Sequence, residues 1–220
     1  MIQPERHDMQ IRILGAAALT AGALVLTACG SNTTPAAQSP SIGMGGMSMS
    51  TAAPQAAAAP ASGPHNAADV SFATEMIPHH GQAIEMADMA LKQATNADVK
   101  AMAQTIKDAQ DPEVIRMSGW LKGWGAPVPS ASMSSSSMAG MDHGQGMMSD
   151  ADMASLGKAA GAAFDRMWVQ LMIQHHEGAV TMAKTELAQG QNSDAKQLAQ
   201  SIITSQSAQI DQLKAMLGKL

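Results

Sequence analysis

One motif that occurs twice constrains this chain more than any other feature. Asp69-x-x-Phe72-x-x-x-Met76-Ile77-x-His79-His80 returns 96 positions later as Asp165-x-x-Trp168-x-x-x-Met172-Ile173-x-His175-His176. The echo continues through Ala83/Ala179, Met86/Met182, Leu91/Leu187, Asn96/Asn192, Asp98/Asp194, Gln104/Gln200 and Gln110/Gln206. The chain is therefore two copies of one unit, and each copy carries a His pair beside a Met. Imidazole and thioether together suit copper, and Cu(I) best, because thioether is a soft ligand.

Each copy reads as a helical hairpin. Residues 67 to about 94 are rich in Ala, Met, Glu, Gln and Leu, all good helix formers. Asn96-Ala97-Asp98 has the form of a turn with an N-cap, after which Val99, Met102, Ile106, Val114, Met117 and Leu121 keep mostly helical spacing to about Gly123. Pro112 interrupts that run and is expected to kink or restart the helix. The second copy predicts one helix from about Asp152 to Gln189, a turn at Gly190 to Ser193, and a last helix to about Leu217. Strand-like alternation is absent. Four amphipathic helices from two repeated hairpins predict an all-α protein, a four-helix bundle.

The histidines fall on the apolar face. At about 100° per residue, His79 lies about 60° to one side of Met76 and His80 about 40° to the other. Met76 thus reaches both at i+3 and i+4 on one helix surface, as Met172 reaches His175 and His176. Small residues one turn on, Ala83 and Ala179, leave room. Met86 and Met182 lie roughly 10 Å further along the axis, so they belong to a neighbouring site or to packing. A single His on an apolar face reads as a satisfied core residue. Four at matched positions, each pair beside a Met, are costly to bury without partners. The candidate metal ligands are Met76, His79, His80, Met86, Met172, His175, His176 and Met182.

Outside the hairpins the composition changes. Residues 13–26 form a short apolar run ending Leu26-Thr27-Ala28-Cys29, too short for a comfortable membrane span and typical of a leader peptide. Met9 is an alternative start, with Arg12 as the leader's positive charge. Small residues before Cys29 predict cleavage after residue 28 and lipidation of that thiol, hence a membrane-anchored, extracytoplasmic lipoprotein. Cys29 is the only Cys, which excludes a disulfide and any Cys-based zinc or iron–sulfur site. Residues 29–64 are Ser, Thr, Ala, Pro and Gly with little to bury, a disordered tether that carries Met44, Met47 and Met49. A second such stretch, about 125–150, separates hairpin 1 (about 65–124) from hairpin 2 (about 151–220). It holds Met133, Met138, Met141, His143, Met147 and Met148 among Ser and Gly, with no core of its own to fill, so Met138, Met141, His143, Met147 and Met148, with Met44, Met47 and Met49 of the tether, are candidates for secondary metal capture.

The net charge is −5, no basic stripe exists and aromatics are scarce, so nucleic acid is not an expected partner. Several enzyme classes also lack their residues. A di-iron carboxylate site needs Glu-x-x-His motifs with further bridging Glu, but Glu75 is four residues before His79 and Glu177 points off the His face. Haemerythrin-like iron would want His-x-x-x-Glu, where Ala83, Ile84, Ala179 and Val180 stand. Covalent haem would need Cys-x-x-Cys-His; a haem held by Met and His alone stays open. G-x-S-x-G and a phosphate-cradling Gly loop are both missing. The remaining alternatives to a copper binder are a metal-dependent oxidoreductase and a purely structural bundle whose Met-rich loops dock a membrane partner.

The doubled M-I-x-H-H-x-x-A-[IV]-x-M-A string, at Met76 to Ala87 and, with Gly178-Ala179-Val180, at Met172 to Ala183, resembles a bacterial family catalogued as domain of unknown function 305. That family includes the CopM-type periplasmic copper-binding proteins. The resemblance spans about residues 65–220. It implies a ferritin-like four-helix bundle and extracytoplasmic binding of Cu(I), with Ag(I) or Cu(II) as alternatives, for buffering, resistance or delivery to a copper-transfer partner. Gln174 stands where the first string has Pro78, a change that touches helix geometry more than ligation.

Overall fold

The computed structural model describes residues 63–131 and 146–220. Cys29, Met44, Met47, Met49, Met133, Met138, Met141 and His143 lie outside the described residues. Those that are described are all-helical, without a strand, in the order α1 (Ala67–Gln93), α2 (Ala97–Gly123), α3 (Asp150–Lys158), α4 (Gly161–Gln189) and α5 (Ser193–Leu217). None of these helices is long and apolar enough to cross a membrane.

Helix starts follow from short polar side chains. Asn66 caps α1 in a reciprocal box with Asp69, Asn96 caps α2, and Asn192 caps α5. Each satisfies backbone N–H groups that a first turn leaves without partners. One expectation fails here. Residues 152–189 were expected to form one helix, but the chain breaks between α3 and α4, with Ala159 and Ala160 both extended. Ser149 and Asp152 form their own capping box, so α3 starts early, and Gly161 takes φ of 58°, a conformation that Gly alone adopts readily. Pro112 does not restart the helix, since α2 runs through it; α1 likewise runs through Pro78.

Helix α1 packs on α2, α4 on α5, and the two pairs meet through α1 and α4. Two apolar clusters result. One gathers Phe72, Met76 and Ile77 of α1, Met117 and Trp120 of α2, Ala179 and Ala183 of α4, and Leu198 and Ile202 of α5. The other gathers Met86 and Ala90, Val99 and Ile106, Trp168 and Met172, and Ile210 and Leu213 from the same four helices. The first half of α1 thus shares a cluster with the second half of α4, so these helices run antiparallel. Between the clusters lies a waist, and the residues there are polar. His79 and His80 occupy it on α1, His175 and His176 on α4, Gln110 and Glu113 on α2, and Gln206 and Gln209 on α5.

The repeat is also visible in how the two halves cap each other. Asp69 accepts from the backbone N–H groups of Gln191 and Asn192, at 3.0 and 2.8 Å. Asp165 accepts from those of Thr95 and Asn96, both at 3.0 Å. Each motif Asp therefore closes the interhelical turn of the opposite hairpin. Burial would raise the Asp69 carboxyl, but hydrogen bonds from Asn66, Asn192 and Gln191 and from the Glu186 side chain hold it below its ordinary value.

Candidate functional site

The four waist histidines form a row. Ring centroids are 6.5 Å apart from His80 to His79, 3.8 Å from His79 to His175, and 6.4 Å from His175 to His176. The spacing is symmetric about the contact of α1 with α4, as two copies of one motif require. All four residues are at most 1% exposed.

The ends of the row are tied to the outer helices. His80 Nε2 lies 2.7 Å from Glu113 Oε2 on α2, and His176 Nε2 lies 2.8 Å from Gln209 Oε1 on α5. Both partners present an oxygen that can accept from the ring, and an Nε2–H tautomer at each would leave Nδ1 with its lone pair. Those Nδ1 atoms are buried without a hydrogen-bond partner, and so are both ring nitrogens of His175. Leaving buried polar atoms unpartnered is expensive, and here they concentrate in one layer. The side-chain oxygens of Gln110 and Gln206, both nearly inaccessible in that layer, are unpartnered too.

Burial keeps the His175 and His176 rings neutral. It holds His175 well below the ordinary imidazole value, with the neighbouring His79, His176 and His80 acting in the same direction and the backbone of His79 opposing. Burial likewise lowers His176 to about 4, against the help of Gln209 and with a further push from His80. Neutral imidazole is the ligating form, so no proton has to be displaced before a metal ion can bind.

Both motif thioethers flank the row. Met76 is fully buried in the cluster on one side of the waist and Met172 in the cluster on the other. Met86 sits away from the waist in the second cluster, where Trp168 Nε1 donates to its carbonyl oxygen at 2.8 Å. Met182 is half-buried against the first cluster. As the side chains stand, no three His, Cys, Asp or Glu among the described residues converge around one point. The donors the waist does gather, a few imidazoles with a thioether to either side, are of a kind that fits a soft monovalent ion.

Both ends of the Met-rich stretch are docked beside the His pairs. A Cβ on Gly81, next to His80, would collide with the carbonyl of Ala131, and one on Gly146 would collide with Gly178. Gln82 exchanges two buried hydrogen bonds with the Met148 backbone, 2.8 Å to its oxygen and 2.7 Å from its nitrogen. Met148 is only 5% exposed and belongs to the core. Met148 thus does have a core to fill, unlike what its Gly- and Ser-rich neighbourhood in sequence predicts, because α1 supplies one. Met147 beside it is half-buried.

Sequence reasoning missed Glu113, Gln209 and Gln82. The first two stand 96 positions apart, like the motif itself, but one is Glu and the other Gln. A comparison by identity passes over them, whereas a comparison by hydrogen-bond acceptor would have paired them.

A family model described as Domain of unknown function (DUF305) matches residues 69–217. Among solved structures, a putative secreted DUF305 protein from Streptomyces coelicolor is 32% identical with a TM-score of 0.61, over 69% of this chain and 93% of that one. A DUF305 fragment from Deinococcus radiodurans is 28% identical with a TM-score of 0.63, over 72% and 100%. CopM in its Cu(II)-bound form is 38% identical with a TM-score of 0.58, over 69% and 96%; that protein has also been solved with Cu(I) and with Ag bound. No curated protein matches.

Proposed function

The chain belongs to the family described as Domain of unknown function (DUF305), and from that footing we propose that it binds copper as cargo outside the cytoplasm. Cu(I) is the preferred ion, with Ag(I) taken by the same donors and Cu(II) less well. The observation that carries this reading is the row of four buried imidazoles, in which His80, His175 and His176 keep ring nitrogens without a hydrogen-bond partner, bounded by two buried thioethers. The similarity to CopM, a protein solved with Cu(I), Cu(II) and Ag, supports it.

In this reading α1, α2, α4 and α5 form a ferritin-like four-helix bundle, and its waist is the site. His79, His80, His175 and His176 supply nitrogen, and Met76 and Met172 supply sulfur. A bound copper ion would satisfy the lone pairs that the apo fold leaves without hydrogen bonds. The protein's own part is to keep the rings neutral, to aim them and to exclude water. Met86 and Met182 support the packing around the site.

The rest of the chain serves delivery in the same reading. Residues 1–28 are a leader, lipid on Cys29 anchors the protein to a membrane on its extracytoplasmic side, and residues 29–64 are a tether. Similarity to a protein described as secreted supports that location. Met44, Met47 and Met49 of the tether, with Met138, Met141, His143 and Met147 of the stretch between hairpins, capture ions or hand them to a transfer partner. The protein then acts as a buffer, a resistance factor or a donor.

Anaerobic titration of the apo protein with Cu(I) against a chromophoric chelator, with Zn(II) and Fe(II) controls, tests the reading. Tight uptake that is lost when His79, His80, His175 and His176 are replaced by Asn, with helicity retained, supports it. Equal affinity and stoichiometry in that variant would move the site elsewhere.

A further inference from the structure

Each outer histidine is held by one side chain from the adjacent helix. Glu113 and Gln209 occupy repeat-equivalent positions on α2 and α5, and each lies 33 residues beyond its own His. Neither was part of the motif that drew attention to the histidines. Their shared property is a single one: an oxygen that accepts a hydrogen bond. A neutral imidazole with an acceptor at Nε2 must carry its hydrogen there, which leaves Nδ1 as a bare lone pair. In a ring without such a partner the hydrogen is free to occupy either nitrogen.

We propose that Glu113 and Gln209 are the positioning residues of the waist site, fixing His80 and His176 in the Nε2–H tautomer so that both present Nδ1 to a metal ion. The inference rests on the copper reading for its ligand, but its first consequence lies in the apo protein. Three observations support it independently of any ion. The two bonds are short and symmetric, at 2.7 and 2.8 Å. The opposite nitrogens, His80 Nδ1 and His176 Nδ1, are the ones left without partners in a closed interior. The chemistry also survives exchange of carboxylate for amide between the two halves, so the acceptor oxygen matters more than the charge. An outer partner that orients a ligating imidazole typically accounts for roughly 10- to 100-fold in metal affinity.

The test uses the full chain and three variants, Glu113→Ala, Glu113→Gln and Gln209→Ala. Glu113 is partly exposed, with 20% of its side chain accessible, so its replacement should be tolerated; circular dichroism checks the fold. Long-range proton–nitrogen NMR correlations of the apo protein report the tautomer of each ring. Expected are pure Nε2–H forms at His80 and His176 in the wild type. Glu113→Ala should give mixed forms at His80 alone, Gln209→Ala mixed forms at His176 alone, and Glu113→Gln a retained tautomer. Competition titration with Cu(I) should then show about a 10- to 100-fold loss for each Ala variant and recovery in Glu113→Gln. An unchanged tautomer in Glu113→Ala overturns the positioning role. So does a lost tautomer without loss of Cu(I) affinity. Wild-type protein that holds its tautomers but takes up no Cu(I) overturns the copper reading instead.

Discussion

His79 and His175 meet ring to ring where α1 packs on α4, with centroids 3.8 Å apart and planes inclined by 43°. They are the same residue of the repeat, brought together by the symmetry of the two hairpins. Two imidazolium rings cannot share such a buried contact without strong repulsion. The waist is thus built for uncharged imidazole, and the apo protein must lose stability when acid charges it.

That loss has a defined direction. His176 has its folded value lowered to about 4 from an unfolded value of 6.5, mainly by burial. A lowered imidazole contributes nothing adverse above pH 6.5 and destabilises progressively as the pH falls toward 4. The unfolded state binds the proton that the folded state refuses. The shift is equivalent to about 3 kcal/mol at the acid end, and His175 adds to it in the same direction. Urea denaturation of the apo protein at pH 7, 6, 5 and 4 should show the decline, and His176→Asn should flatten it. Parallel curves for the two proteins would mean that His176 is not the group refusing the proton.

Glu186 predicts the opposite slope. It is 1% exposed beside Asp69, and its carboxyl is raised to about 8, first by burial and then by the hydrogen bond and charge of Asp69, with Lys196 opposing. A raised carboxyl is harmless below pH 4.5, where both states are protonated. It costs stability as the pH rises toward 8, because the unfolded state has already ionised. Glu186→Gln keeps the shape without the proton. It should match the wild type near pH 4 and exceed it at pH 8.5 in thermal denaturation. A constant difference at both values would show that the effect is packing alone. The equivalent position in the first hairpin is Ala90, so only one end of the molecule carries this acid.

Gln82 should be a stability residue, though it lies two positions past the His pair. Its side chain pairs with both the N–H and the C=O of Met148 in a buried setting. Truncation leaves two buried backbone groups without partners, so Gln82→Ala should cost about 2 to 4 kcal/mol in denaturant unfolding. A cost below about 0.5 kcal/mol, the scale of an ordinary surface substitution, would mean that water replaces the amide.

Repetition made part of this site legible and hid the rest. The four histidines and the two motif methionines stand at positions that two copies share by identity, and helical spacing alone puts them on one face. The long helices were equally readable, since Asn96 announces its turn and the apolar period is sustained on both sides. The break at Gly161 was not readable, because Ala159 and Ala160 favour helix locally and only the capping box at Ser149 and the turn at Gly161 override them. Asp69 and Asp165 were visible as repeat marks, but their work is done across more than 60 residues, on turns of the opposite hairpin. The burial of Met148 was hidden for the same reason: composition describes its neighbours in sequence, and the Gln82 side chain that pairs with its backbone comes from α1.

Met76 and Met86 offer the sharpest separation of ligand from packing, because both are fully buried on α1 and only one borders the waist. Leu conserves volume at either position and should cost less than about 1.5 kcal/mol in stability. What differs is the sulfur. Met76→Leu removes a soft donor one helical turn from His79 and His80, so Cu(I) affinity should fall by at least the roughly 10-fold that even indirect ligand support is worth. The loss for Ag(I) should be comparable and that for Cu(II) smaller, because thioether favours soft ions. Met86→Leu, in the cluster beyond Ala83, should leave all three affinities unchanged while shifting the melting temperature by a similar amount. Chelator competition on the two variants decides the matter. Equal loss at both would place the sulfur site further along α1 than the His row, and no loss at either would leave imidazole as the sole ligand of the waist.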